Sequence, residues 1–151
     1  MSKICFYLES YYVGGLDTFT IDLLNNWPNK NDELVLICNK SHTALDLYRK
    51  RLLNPNISLV PHNLPMVPDK QAQLKEIFGS GFIYKIFSVA LQYTLFIYYV
   101  LFSFRILNLK KYDKLMIING GYPAGTSCRA ISITWGRNTG SKSIHNFHNY
   151  S

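Results

Sequence analysis

Short apolar runs alternate with helical periodicity through the first 60 residues, and this alternation most constrains how the chain can fold. Residues 4–8, 33–38 and 57–60 are apolar runs of strand length. The segment between the first two has its apolar residues at spacings of three and four: Leu16, Phe19, Leu23, Leu24 and Trp27. The order β-α-β-α-β predicts an α/β fold with a parallel sheet flanked by helices.

Capping and breaking residues predict where these helices begin and end. Asp17 is a candidate N-cap for the first helix, and Pro28 is expected to end it. Residues 43–46 resemble a capping box, which predicts a second helix through Leu53. Three prolines then predict an irregular loop: Pro61, Pro65 and Pro68.

The second part of the chain continues the same pattern after one long apolar segment. Residues 82–109 predict a long helix, and residues 115–118 and 143–147 predict a fourth and a fifth strand. A helix over residues 124–135 is expected between those strands. We therefore expect a single domain over residues 1–151.

The long apolar segment allows three interpretations, because residues 86–104 are 19 consecutive uncharged residues. That length suits a membrane-spanning helix, but a span would place strands of one sheet on opposite sides of a bilayer. A helix buried in the domain or against a partner domain is the second alternative. The third is a helix in the membrane interface, which its aromatic residues and basic ends, Lys85 and Arg105, favour.

The net charge of +7 favours anionic partners such as phosphates or acidic lipid surfaces. A nucleic-acid partner is not expected, because the only tight basic cluster is residues 49–51. Cys5 and Cys38 lie in apolar runs, which predicts reduced, structural thiols for a chain with three cysteines. Glu9 interrupts the N-terminal apolar stretch, so we expect no secretory leader and a cytoplasmic protein.

Glycine pairs follow two of the predicted strands. Gly14-Gly15 lies between the first strand and the first helix, and Gly120-Gly121 follows the fourth strand. Ligands of open α/β sheets bind beyond the carboxyl ends of the strands, where a backbone without Cβ atoms allows close approach. A phosphate at the helix N-terminus behind Gly15 and an ordinary tight turn remain alternatives there. The dinucleotide fingerprint and the P-loop are both absent, which argues against oxidoreductases of that kind and against ATPases.

Two histidines near the end of the chain are candidates for chemistry. His145 and His148 are three residues apart, so in a strand they point to opposite faces and are not expected to share a metal ion. His148 is closer to the carboxyl end, where it could bind a sugar hydroxyl or a phosphate; an ordinary half-exposed histidine is the alternative. No nucleophilic triad is apparent.

These segments together resemble a known family. The first strand with Gly14-Gly15 and its helix looks like the glycine loop of retaining glycosyltransferases of family 4 (glycosyl transferases group 1). Residues 119–123 are similar to a segment lining the acceptor cleft of that family, and His148-Asn149 resembles the pair that the family carries in a strand, a histidine followed by asparagine or aspartate. The resemblance implies a Rossmann-like sheet flanked by helices, the N-terminal, acceptor-binding half of a GT-B fold.

The resemblance also implies roles for individual residues. Gly14 and Gly15 would face the donor diphosphate, and His148 would be catalytic beside the transferred sugar. The acceptor cleft would be formed by Asp17, Asn119, Gly120, Gly121, Tyr122 and Asn149. Such enzymes use a nucleotide-sugar as co-substrate, without a cofactor or a catalytic metal. Many of them dock on membranes to reach lipid-linked acceptors, and for this chain we expect a role in surface polysaccharide or glycolipid synthesis, with a possible peripheral position on the inner face of the membrane.

The chain departs from the family in one respect, because the donor-binding E-x7-E pair is missing: its glutamates are Glu9, Glu33 and Glu76. We therefore expect a glycosyltransferase fragment without its donor-binding C-terminal domain, and no turnover by this chain alone. Two alternatives stay open. One is a membrane-docked acceptor subunit that recruits a separate donor-binding subunit, and the other is a non-enzymatic nucleotide- or lipid-binding module.

Overall fold

The computed structural model describes residues 1–118 and 125–146 of the chain. Five strands form one sheet: β1 (Lys3–Leu8), β2 (Glu33–Asn39), β3 (Ile57–His62), β4 (Lys114–Ile117) and β5 (Ile144–His145). Their order is β3-β2-β1-β4-β5, and every neighbouring pair is parallel. The predicted Rossmann-like α/β fold class is confirmed.

Helices cover both faces of this sheet: α1 (Gly15–Asn25), α2 (Leu45–Arg51), α3 (Val67–Phe78), α4 (Phe82–Ile106) and α5 (Thr126–Thr139). A 3-10 turn at Leu109–Lys111 leads into β4. Strand β1 shows why two layers form, since its side chains alternate between the faces. Phe6 packs with Leu24 of α1 on one face, and Cys5 belongs to the core around Tyr99 of α4 and Trp135 of α5 on the other.

The predicted helix starts were wrong at two points. Gly14, not Asp17, is the N-cap of α1, and Asp17 is three residues into the helix, where its carboxylate accepts a hydrogen bond from the Gly14 N–H. That helix ends at Asn25, before Pro28. Helix α2 begins after Ala44 without a side-chain cap, so no capping box forms at residues 43–46.

The irregular loop predicted from three prolines was also wrong in part. Pro61 lies within β3, an edge strand, where a residue without an N–H removes no ladder hydrogen bond on the solvent side. Pro68 lies in the first turn of α3, where its fixed φ suits a helix and its missing N–H is not needed. The prolines therefore end a strand and begin a helix that the apolar pattern did not reveal.

Helix α4 is the long apolar helix that the sequence predicts, but most of it is not in the core. Its buried residues are Leu95, Tyr99 and Ser103, all in its C-terminal half. By length and composition alone α4 could cross a membrane, and 17% of its most apolar window is buried. The interpretation of a helix buried in this domain therefore fails for its N-terminal half.

Candidate functional site

The carboxyl ends of the strands bring polar residues together at one edge of the sheet. The parallel register places Leu8 of β1 beside Cys38 of β2, and Asn39 beside His62 of β3. Because the strand order reverses between β1 and β4, the crevice of an open α/β sheet is expected at their carboxyl ends. The loop that follows β1 carries Gly14 and Gly15 to this edge.

The glycine loop is open on its outer side. Gly14 has an extended backbone, with φ of −164°. A Cβ atom added to Gly14 or to Gly15 would meet no atom within 4 Å, and neither residue has a positive φ. Neither crowding nor backbone strain therefore requires glycine at these two positions.

A buried carboxylate holds this loop from below. Both oxygens of Asp17 accept hydrogen bonds: Oδ2 from the Gly14 N–H at 2.7 Å, and Oδ1 from His42 Nε2 at 2.7 Å and from the Tyr48 hydroxyl at 2.6 Å. Burial raises the pKa of Asp17, but the hydrogen bonds from His42, Tyr48 and Gly14 outweigh it and lower the pKa. Asp17 is fully buried beneath the loop. Its predicted contact with the acceptor is not tested by this position and stays a prediction.

A second set of buried polar residues forms a directed chain of hydrogen bonds across the same edge. The Leu64 N–H donates to His62 Nδ1 at 3.2 Å, so the proton of the neutral ring lies on Nε2, which donates to the Tyr7 oxygen at 3.1 Å. The Tyr7 hydroxyl donates to Ser127 Oγ at 2.8 Å, and the Ser127 hydroxyl donates to Glu9 Oε2 at 2.5 Å. We call this chain the His62–Glu9 relay.

The relay connects three elements, and burial keeps two of its groups, His62 and Tyr7, in one protonation state. Burial lowers the pKa of His62 to about 4, which keeps its ring neutral. Burial also raises the pKa of Tyr7 well above its usual value, so the hydroxyl stays a donor. The Ser127 N–H, in the first turn of α5, also donates to Glu9 Oε2, at 2.9 Å. The relay therefore holds the start of α5 against the ends of β1 and β3.

A polar cavity of about 360 Å³ opens beside His62. Residues after β2 and β3 and in the first turn of α3 line it: Lys40, Ser41, His62, Asn63, Leu64, Met66 and Asp69. An ammonium group, a hydroxyl, an amide and a carboxylate thus surround one open space. Such a set can donate to and accept from the hydroxyls of a polar ligand.

Several residues that the sequence predicts for the site lie outside the described residues, and their roles stay predictions. These are the proposed catalytic His148 and the acceptor-cleft residues Asn119, Gly120, Gly121, Tyr122 and Asn149. His145, which is described, is half-buried on β5 with its Nε2 2.9 Å from Ser132 Oγ and 3.0 Å from Ser143 Oγ. Burial lowers its pKa.

The cysteines do not contribute to the site. All three are buried and free of disulfides, and burial raises the pKa of each thiol, that of Cys38 to about 12. Within residues 1–118 and 125–146, no group of three or more His, Cys, Asp or Glu side chains could hold a metal ion. The polar groups described at this edge are hydroxyl, imidazole, carboxylate, ammonium, amide and backbone groups.

Sequence reasoning missed Glu9, His62 and Ser127. Glu9 directly follows an apolar strand and His62 ends one, so a search for polar residues at strand ends could have found both. Ser127 becomes visible only when α5 packs on the sheet. No model of a known protein family matches the chain, and neither a curated protein nor a solved structure does.

Proposed function

We propose that this chain is the acceptor-binding half of a glycosyltransferase that moves a sugar from a nucleotide-sugar to a glycan or a lipid-linked acceptor. The donor diphosphate would lie against the glycine loop, and the acceptor would bind along the carboxyl edge of the sheet. The donor-binding half would come from a further domain or from a separate subunit. Sugar transfer would need both halves, because the reacting centre lies between them.

The observation that carries this proposal is the open glycine pair. Glycine in a loop is normally required by a positive φ or by a lack of space for a Cβ atom, and neither condition holds at Gly14 or Gly15. The close approach of a ligand to the backbone is a third physical reason for glycine, and Gly14 is in addition the N-cap of α1, a position that glycine also suits. The Asp17 and Thr18 N–H groups donate to the Gly14 carbonyl oxygen, so an anion there would be bound by the N–H groups of Gly15 and Leu16, and the positive end of the helix dipole favours a phosphate.

The buried hydrogen bonds below the loop support the same proposal. A phosphate-binding loop stabilises its ligand best when its N–H groups are already oriented. Asp17 fixes the conformation of the loop by accepting the Gly14 N–H from inside the domain, so this N–H is turned away from a ligand and the outer surface of the loop stays open. The carboxylate is hydrogen-bonded on both oxygens and lies behind the loop.

The polar cavity beside His62 supports a hydroxyl-rich acceptor. Lys40, Asn63 and Asp69 present donors and acceptors to a space of about 360 Å³, the size of a small-molecule site. A saccharide offers the matching hydroxyls. The cavity lies at the same edge as the glycine loop.

The test compares two glycines of equal local geometry. Gly14 and Gly81 are both helix N-caps with negative φ and with no atom within 4 Å of an added Cβ. Sugar transfer is measured in extracts of the producing cells, supplied with radiolabelled nucleotide-sugars, after replacement of the native gene by Gly14→Val, Gly81→Val or His148→Ala. We expect Gly14→Val to reduce transfer about ten-fold or more because the new side chain blocks the diphosphate. His148→Ala should abolish transfer, and Gly81→Val should leave it unchanged.

Two results would contradict the proposal. One is the same loss of transfer with Gly81→Val as with Gly14→Val. The other is unchanged transfer with both Gly14→Val and His148→Ala. If the purified chain bound a nucleoside diphosphate while no transfer depended on it, the non-enzymatic binding module would be the better description.

A further inference from the structure

A helical hairpin projects beyond the carboxyl edge of the sheet. Helix α3 starts at this edge, directly after β3, and Val67 is its single buried residue. Gln92, Tyr93 and Phe96 of α4 line a cavity with Thr126 and Arg129 in the first turn of α5. The start of α5 therefore marks how far the body of the domain extends. Residues 82–91 of α4 continue past that level over roughly 15 Å, with Leu91 at the base packed against the core. We call α3 with residues 82–91 the hairpin.

Direct contacts hold the two helices of the hairpin together. Gln71 Nε2 donates to Ser88 Oγ at 2.6 Å, and the rings of Phe78 and Phe87 are stacked with centroids 5.1 Å apart. Gly79, with φ of +67°, ends α3 in a conformation that suits glycine. At its base, the Tyr99 hydroxyl donates to the Pro65 carbonyl oxygen at 2.5 Å. The hairpin is therefore a defined structural element attached to the core.

The end of the hairpin exposes large apolar side chains instead of polar ones. Phe82 is 76% exposed and Ile77 is 71% exposed. The others on the same tip are exposed as well: Phe78, Ile83, Ile86, Phe87 and Val89. Exposed apolar side chains also continue from the tip along α4 at Tyr93, Ile97 and Leu101. A concentration of exposed apolar residues of this kind marks an interaction site.

The charges next to this tip are mainly cationic. Lys75 and Lys85 are exposed beside it, with Glu76 as the neighbouring acidic residue, and α4 itself contains no acidic residue. Arg129 adds a further cation where the hairpin meets the body of the domain. Apolar and aromatic side chains bordered by lysines are the composition that binds an anionic lipid surface.

The fold limits how deeply this element can enter a bilayer. The connection from β3 through α3 and α4 returns to β4, which lies in the same parallel sheet. The C-terminal half of α4 is held in the core by Leu95 and Tyr99. The free part of about 15 Å is shorter than the hydrocarbon core of about 30 Å, so the tip can enter one leaflet but cannot span the membrane.

We propose that the hairpin tip inserts into the interfacial layer of an anionic bilayer and docks the protein with the carboxyl edge of its sheet towards the lipid. A second copy of the chain fits this surface less well, because tip-to-tip packing would bring two cationic tips together. Docking does not depend on sugar transfer. If the proposed function holds, it would also bring a lipid-linked acceptor close to the cavity beside His62.

Vesicle flotation tests the docking with the purified chain. The probes are phosphatidylcholine vesicles with and without about 30% phosphatidylglycerol. We expect binding to the anionic vesicles, weaker binding to the neutral ones, and a loss of about ten-fold or more with Phe82→Glu. The matched control is Leu53→Glu, since Leu53 is 78% exposed at the end of α2 and far along the chain from the hairpin. This variant should bind as the unchanged chain does.

A second pair of variants measures the depth of insertion and does not depend on loss of binding. Brominated acyl chains should quench the added fluorescence of Phe82→Trp and leave that of Leu53→Trp unchanged.

Lys75→Glu with Lys85→Glu should remove the preference for anionic vesicles. Equal binding of Phe82→Glu and Leu53→Glu would overturn the proposal. So would a dimer in sedimentation that Phe82→Glu dissociates while no vesicles are bound.

Discussion

The hydroxyl oxygen of Tyr7 on β1 lies 3.1 Å from Nε2 of His62 at the end of β3, although β2 separates these two strands in the sheet. Their rings are nearly parallel, with an interplanar angle of 11° and centroids 5.5 Å apart. The contact therefore crosses over a strand and continues through Ser127 to Glu9. It connects the edge strand, a central strand and α5 at the candidate site.

The first prediction concerns the hydroxyl at the centre of this relay. Tyr7→Phe keeps the buried ring but removes the acceptor for His62 Nε2 and the donor to Ser127 Oγ. We expect the free energy of unfolding to fall by about 1–3 kcal/mol, the cost of leaving buried polar groups unpaired. Urea unfolding measures this. Tyr12→Phe is the control, because Tyr12 is 83% exposed, and a change of equal size there would contradict the role of the relay.

The second prediction follows from the pKa of His62, which burial lowers from 6.5 to about 4. Between these two values the unfolded chain binds a proton that the folded chain does not, so folding stability falls as the pH falls from 6.5 towards 4. The loss from this residue amounts to about 3 kcal/mol at most. Unfolding at a series of pH values measures the slope.

The matched variant for this pH series is His62→Gln, which has no titrating ring. Its stability should depend less on pH between 6.5 and 4, and the slope that remains should have the same sign, because burial also lowers the pKa of His145. Identical slopes for the variant and the unchanged chain would show that His62 does not titrate as its burial requires.

The third prediction concerns the carboxylate beneath the glycine loop. Asp17→Ala leaves His42 Nε2, the Tyr48 hydroxyl and the Gly14 N–H without their acceptor. The expected loss is about 3 kcal/mol, typical of removing one partner from a buried charged network. Asp22→Ala in the same helix is the control, since Asp22 is exposed. If both variants lost equally little stability, the network would not hold the loop.

The fourth prediction concerns the thiols. Cys5, Cys38 and Cys128 are buried, and burial raises the pKa of each, so little thiolate forms near neutral pH. We expect no alkylation by iodoacetamide in the folded chain and complete alkylation in urea, measured by intact mass. Rapid modification of any of the three in the folded chain would show that its site opens.

Local patterns were sufficient to predict most of the elements. The apolar runs located β1 to β4 to within one or two residues, because a strand buried on both faces needs a continuous apolar segment. Helix α3 was missed because its prolines were interpreted only as breakers, although Pro68 lies where a helix tolerates proline best. Asp17 was placed on the correct helix but in the wrong role, since an N-cap and a residue three positions later both favour a carboxylate.

The sequence by itself determined the α/β class, the parallel direction of the strands and the position of Gly14-Gly15 at a strand end, because these follow from contacts close along the chain. Only the tertiary structure decided which polar residues meet. The hydrogen bonds of Glu9 to Ser127 join residues 118 positions apart, and packing rather than local pattern brings them within reach. The same holds for α4, whose sequence is mainly apolar along its whole length. Its buried residues, Leu95, Tyr99 and Ser103, all lie in the half that packs against α5 and the sheet, which the apolar pattern alone does not indicate.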